Sequence, residues 1–110
     1  MDEPMELIDV VIDVTQELIN QGCRHSSGNC PVAKAVHKWI SQNMPGYHIY
    51  VAVTMKVMWF LLTAHDEDQS IYARTITPDD INDFIHRFDA GLPVKPFKTT
   101  VEFTKENSVV

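Results

Sequence analysis

The sequence predicts an α+β fold: a single domain in which a small antiparallel sheet has two main helices on one face. Three features indicate this class: apolar and polar residues alternate near the N-terminus, and amphipathic segments begin at Cys30-Pro31 and at Thr77-Pro78. A chain of 110 residues has the length of one domain and is long enough to bury one core. We expect the domain to span residues 1–104, followed by a frayed tail over residues 105–110.

The predicted order of elements is β-α-α-β-β-β-α-β, and its first two elements are short. Apolar residues alternate along Ile8–Val14, which is typical of a half-buried strand. Thr15–Gln21 has the length of a short helix, and Gly22 is its expected stop.

A longer helix is expected after the polar loop Arg24–Asn29. Pro31 suits the first helical position, with Cys30 or Asn29 as the capping residue. Pro45-Gly46 ends the helix. A single apolar stripe with helical spacing is formed by Val32, Val36, Trp39 and Ile40.

The middle of the chain is rich in β-branched and aromatic residues, which favour strands. We predict strands at Ile49–Val53, Val57–Thr63 and Ile71–Ile76, with the charged segment His65–Ser70 as the turn before the last of them. The second strand also fits a helix, because helical spacing relates Met55, Met58, Trp59 and Leu62.

The last helix has a clear start, with Thr77 as cap, Pro78 at the first position and acidic residues in the first turn. Gly91 ends it. Pro93 and Pro96 in the next segment keep the chain extended. The apolar side chains of Val94 and Phe97 can then close over the core. A final strand contains Val101 and Phe103, and the sequence leaves open whether it pairs with the first strand.

The charge balance limits the classes of partner. The net charge is -6 and the isoelectric point is near 5.2, which argues against direct binding to nucleic acid or to an anionic membrane, since both need a basic face. It permits a basic protein partner. The acidic start M-D-E-P-M-E is unlike a signal peptide, and the apolar run Ile49–Leu62 is too short to span a membrane. We therefore expect a soluble cytoplasmic protein with reduced cysteines.

The segment Cys23–Pro31 is the candidate site for metal chemistry. Cys23, His25, Cys30 and His37 offer the thiolate and imidazole ligands that zinc prefers. However, the spacing contains neither C-x2-C nor H-x3-5-H. The structural alternative is that Cys30 is a small buried residue at a helix start.

The same segment suggests two further hypotheses. Cys30 at a helix N-terminus could be an activated thiol, with His25 or His37 as its base. Free N–H groups after Ser26-Ser27-Gly28-Asn29 could instead capture an anion. No nucleotide-binding motif accompanies them, and the structural alternative is that Pro31 simply stiffens the first turn.

A protein-binding surface is the remaining candidate. Met55, Met58 and Trp59 belong to a stretch that is mostly core, but one of its faces could be exposed and adapt to a partner. The partner could also be a second copy of the chain.

Three segments resemble a group of short uncharacterised proteins from phages and bacterial genomes. The matching pattern is an opening T-x-E-x-I-x-x-G at Thr15–Gly22, a helix start C-P-[IV]-A-x-A at Cys30–Val36, and F-I-x-x-F-D-x-G-x-P-V-x-P-F at Phe84–Phe97. The resemblance implies a phage or mobile-element protein and makes Cys30 a feature of the fold. It implies no reaction and no catalytic residue.

These observations support one leading hypothesis and two alternatives. The leading one is a non-enzymatic acidic protein that docks on a host or defence protein in the host cytoplasm, as anti-CRISPR inhibitors do. The first alternative is a metal- or thiol-dependent protein centred on Cys23, His25, Cys30 and His37. The second is a protein that sequesters a small ligand or nucleotide.

Overall fold

A computed structural model describes residues 6–65 and 70–106 of the chain. It contains three helices, of which the first is short, and five strands. The bounds, in chain order, are β1 (Leu7–Val14), α1 (Gln16–Gln21), α2 (Pro31–Asn43), β2 (Tyr47–Val53), β3 (Val57–Ala64), β4 (Ser70–Ile76), α3 (Asp79–Asp89) and β5 (Phe97–Glu106). The predicted α+β class and the predicted order of elements are confirmed.

The strands form one antiparallel sheet with the order β1-β5-β4-β3-β2. The first and last strands are neighbours, with Val10 opposite Val101 and Leu7 opposite Thr104. Strands β2, β3 and β4 form a meander in which Val51, Phe60 and Ala73 lie in one row. Within the described residues, the edge strands of the sheet are therefore β1 and β2.

The core lies between one face of the sheet and the helices. Fully buried sheet residues on this face include Ile12, Phe60 and Phe103, and they form a single cluster with buried residues of α2 and α3. The rings of Phe60 and Phe103 lie 5.0 Å apart. Both main helices therefore cover the same face, as predicted, and each is held there by its apolar stripe.

The start of α2 follows the predicted capping pattern. Cys30 is the capping residue and Pro31 is the first helical residue. Gly22 ends α1 and lies directly against the Pro31 ring, since a Cβ atom at Gly22 would be 2.6 Å from its Cγ and Cδ atoms. Gly22 has an ordinary φ of -68°, so close contact with Pro31 is the reason for glycine there.

The start of α3 corrects one prediction. The capping position is occupied by Pro78, without a side-chain cap, and not by Thr77. Thr77 is buried, and its hydroxyl donates to the Thr54 carbonyl oxygen at 2.7 Å. Its hydroxyl therefore joins α3 to the β2–β3 turn, a partner that is distant in sequence and invisible to a local capping rule.

The end of the domain also differs from the prediction. The sequence predicts a frayed tail from residue 105, whereas Lys105 and Glu106 belong to β5. The Lys105 amide donates to the Glu6 carbonyl oxygen at 2.9 Å, and the Glu106 carboxylate bonds Arg74. Residues 107–110 and most of the predicted turn, residues 66–69, lie outside the described ranges. None of the described helices is long and apolar enough to cross a membrane.

Candidate functional site

The loop between α1 and α2 is fixed to the rest of the fold by hydrogen bonds. The His25 amide donates to the Asp89 carboxylate at the end of α3, at 2.9 Å. The Val53 amide at the end of β2 donates to the Ser27 carbonyl oxygen at 2.8 Å. His25 has a φ of +58°, a conformation that costs energy outside glycine and that these contacts hold in place. The loop thus connects α3 to the sheet edge.

Cys30 is a structural residue in this loop. Its side chain is buried, and its sulfur accepts the Ala33 amide at 3.4 Å. Burial raises the pKa of the Cys30 thiol, and the nearby Asp89 carboxylate raises it further, against the lowering effect of the N–H groups of Val32 and Ala33. The environment of Cys30 therefore argues against the predicted activated thiolate, because desolvation outweighs the stabilisation at the helix start.

The four predicted metal ligands do not form one group. Cys30 is buried, whereas Cys23, His25 and His37 are exposed, and both cysteines are free thiols. His25 lies beside Asp89, with 3.9 Å between its Nδ1 atom and the carboxylate. Across residues 6–65 and 70–106, no three His, Cys, Asp or Glu side chains lie close enough together to hold a metal ion.

Three N–H groups of the predicted anion site donate to atoms of the protein itself. The Asn29 amide donates to the Ser26 hydroxyl at 3.2 Å, and the Cys30 amide donates to the Ser26 carbonyl oxygen at 3.0 Å. In the first turn of the helix, the Ala33 amide donates to the Cys30 sulfur at 3.4 Å. These N–H groups are therefore not available to an anion.

The three residues predicted as a partner surface lie in different places. Met58 is fully buried in the core, so its inclusion is wrong. Met55 is exposed in the β2–β3 turn, next to the α1–α2 loop. Trp59 is half-buried on the opposite face of the sheet from Met58, because side chains alternate along a strand.

The face that carries Trp59 is an open sheet surface, which we call the open face. Every described side chain on it is exposed or half-buried. Over β2, β3 and β4 it is largely aromatic and aliphatic, with the Arg74 side chain opposite Trp59. Tyr50 is 57% exposed and Ile76 is 81% exposed. The ring centroids of Trp59 and Tyr72 lie 6.0 Å apart. An apolar surface of this kind on one side of a single sheet is typical of a contact surface.

Over β1 and β5 the open face is charged. Asp9 and Glu102 lie directly opposite each other across the two strands. Asp13 is opposite Lys98, and Glu106 bonds the Arg74 guanidinium at 2.6 Å. Within the described part of the chain no cation pairs with Asp9 or Glu102. Like charges directly opposite in a sheet are destabilising, so this pair favours a positively charged group from outside.

Most of the open face was missed at the level of sequence. Tyr50, Leu61, Tyr72 and Ile76 share this face with Trp59 because they alternate with buried residues of the same strands. The signal was present: β3 is apolar on both sides, although only one side of the sheet is covered by helices. A strand that is apolar on both faces indicates either a second layer or an exposed contact surface.

The comparisons with known proteins add no family. No protein-family model, no curated protein and no solved structure matches the chain.

Proposed function

We propose that the protein is a non-enzymatic binding protein that docks, through its open face, on a basic and partly apolar surface of a host or defence protein. The observation that supports this most is the composition of that face, with aromatic residues on one half and, on the other, the Asp9–Glu102 carboxylate pair, which has no cation partner among the described residues. The protein would act by occupying the partner's surface, in the manner of an anti-CRISPR inhibitor. The proposed compartment is the host cytoplasm.

The chemistry of the face selects the class of partner. A few residues supply most of the binding free energy in protein interfaces, and Trp and Tyr are enriched among them. The open face presents both types at Trp59, Tyr50 and Tyr72. The Asp9 and Glu102 carboxylates attract a cationic surface and repel an acidic one. The net charge of -6 acts in the same direction over longer distances.

The phage-like segments support the proposed origin. The three segments lie at Thr15–Gly22, Cys30–Val36 and Phe84–Phe97, and they build the helix side of the molecule. They have no residue on the aromatic half of the open face. Proteins that share this framework could therefore differ in partner while keeping the fold.

The test is capture of a partner from bacterial lysate by matched variants. Ile76→Lys and Tyr50→Lys each place a cation on the aromatic half of the open face. Gln42→Lys places the same charge on the exposed side of α2 and serves as the control. We expect a stoichiometric partner to be retained by the wild type and by Gln42→Lys and to be lost by the other two.

Two further readouts make this test specific. Retention should fall as ionic strength rises, since charged contacts are screened by salt, and the captured protein should have a basic surface. A second copy of the chain on this face would appear instead as a dimer in sedimentation that Ile76→Lys dissociates. The proposal fails if no stoichiometric partner is found, or if the open-face variants and Gln42→Lys retain it equally.

A further inference from the structure

A groove on the other side of the molecule has the features of a small-ligand site. It has a volume of about 510 Å³ and lies between α3 and the extended chain that leads into β5. Its apolar walls include Phe84, Val94 and Phe97, and the two phenylalanine rings lie 5.0 Å apart. Small-molecule sites commonly have volumes of roughly 300–1,000 Å³ with apolar walls and few polar groups.

The polar groups of the groove are mainly cationic. Arg87, Lys95 and Lys98 line it, together with one carboxylate, that of Asp80. The protein has only 9 lysines and arginines against 15 acidic residues. None of the three cations lies within 4.0 Å of a carboxylate in the described ranges. Their grouping around an apolar wall is therefore complementary to an anion that has an apolar body.

Arg87 is held in place for such a contact. Its Nε and Nη2 atoms donate to the Pro93 carbonyl oxygen at 3.2 and 3.1 Å. A guanidinium has five N–H groups, so its outer fork, formed by Nη1 and the second N–H of Nη2, has no acceptor within the described chain. A fork of this shape binds a carboxylate through two parallel hydrogen bonds.

We propose that this groove binds a small aromatic carboxylate. The aromatic body lies against Phe84 and Phe97, the carboxylate accepts from the outer fork of Arg87, and Lys95 adds a second positive charge. Apart from Lys98, which lies opposite Asp13 on the charged part of the open face, the lining residues lie on the helix side of the sheet. The site shares no residue with the aromatic half of the open face or with the Asp9–Glu102 pair. It is independent of the proposed partner binding, and either can fail alone.

The experiment is an NMR titration of the ¹⁵N-labelled full chain with 2-naphthylacetate, and with 2-naphthylacetamide as its neutral analogue. We expect a saturable shift of the Phe84, Val94 and Phe97 amides with the acid, and about tenfold weaker binding of the amide. Lys95→Glu should weaken binding of the acid about tenfold, because attraction becomes repulsion. Lys56→Glu, the same change at an exposed residue outside the groove, should leave it unchanged.

Each of the following outcomes of the titration rejects the proposal. Equal affinity for the acid and the amide would show that the apolar wall binds without charge recognition. Shifts confined to the open face, or equal effects of Lys95→Glu and Lys56→Glu, would place binding elsewhere. No saturable shift at millimolar 2-naphthylacetate would show that the groove is not a site for this class. Dispersed spectra of both variants verify folding, and both changed side chains are exposed.

Discussion

At the scale of single residues, Gly22 is the position where one added carbon has the largest expected effect. A Cβ atom there would lie 2.6 Å from the Pro31 ring, whereas one at Gly28 would meet only the Val51 carbonyl oxygen, at 3.6 Å. We expect Gly22→Ala to lower the free energy of unfolding by about 1–3 kcal/mol, as overpacking does. Gly28→Ala should change it by less than about 0.5 kcal/mol. Urea denaturation of both variants measures the difference, and equal values would show that Gly22 and Pro31 are not in close contact.

The two cysteines should differ in reactivity. Cys23 is exposed, and Cys30 is buried with a raised pKa. We expect one thiol per chain to react with a thiol reagent in the native protein and the second only after unfolding. Mass spectrometry identifies the modified residue, and rapid native labelling of Cys30 would contradict its burial.

The raised pKa of Cys30 also predicts a pH dependence. The unfolded thiol ionises near its ordinary pKa of 9.0, while the folded thiol stays protonated to higher pH. The folded state then binds more protons, so this contribution to stability is complete below pH 9.0 and is lost as pH rises above it. Cys30→Ala should reduce the fall in unfolding free energy between neutral and alkaline pH. An identical fall in the unfolding free energy of the wild type and Cys30→Ala would show that the thiol titrates alike in the folded and unfolded states.

At the scale of elements, Asp89 joins the α1–α2 loop to α3. Its carboxylate accepts the His25 amide at 2.9 Å. We expect Asp89→Ala to lower the free energy of unfolding by about 1 kcal/mol and to speed hydrogen exchange at the His25 amide. Asp89→Asn keeps an acceptor oxygen and should preserve most of the protection. Unchanged exchange in Asp89→Ala would show that the loop is held by other contacts.

The elements that could be predicted from sequence are those determined by local patterns. Alternation over Ile8–Val14, the capping of α2 by Cys30-Pro31 and the stop at Gly22 all depend on neighbours along the chain. The contacts that were missed join residues distant in sequence. The Thr77 hydroxyl donates to the Thr54 carbonyl oxygen, and the His25 amide donates to the Asp89 carboxylate, 64 residues away. Met58 and Trp59 were grouped because both are apolar, yet adjacent residues of a strand face opposite sides. The groove beside α3 was missed because it forms only when the extended segment before β5 lies against α3, where Arg87 donates to the Pro93 carbonyl oxygen.

At the scale of the whole molecule, the open face combines a stability cost with the proposed function. Asp9 and Glu102 are directly opposite and lack a cation in the described chain. Glu102→Gln removes one of the two charges, so we expect the free energy of unfolding to rise by about 0.2–1 kcal/mol at low salt. Glu17→Gln on α1 changes net charge equally without this neighbour and is the control. A free energy of unfolding of Glu102→Gln equal to or below that of the wild type would show that the two carboxylates do not repel each other.

The most direct test of partner binding through the open face compares how much captured partner Glu102→Gln and Glu17→Gln retain. If Glu102 opposes folding but attracts a basic surface, its replacement should raise the free energy of unfolding and lower the amount of partner retained. At low ionic strength, we expect Glu102→Gln to retain less partner than the wild type although it is the more stable protein, and Glu17→Gln to retain as much as the wild type. Undiminished retention by Glu102→Gln would contradict the account, because the carboxylate pair would then have no part in binding.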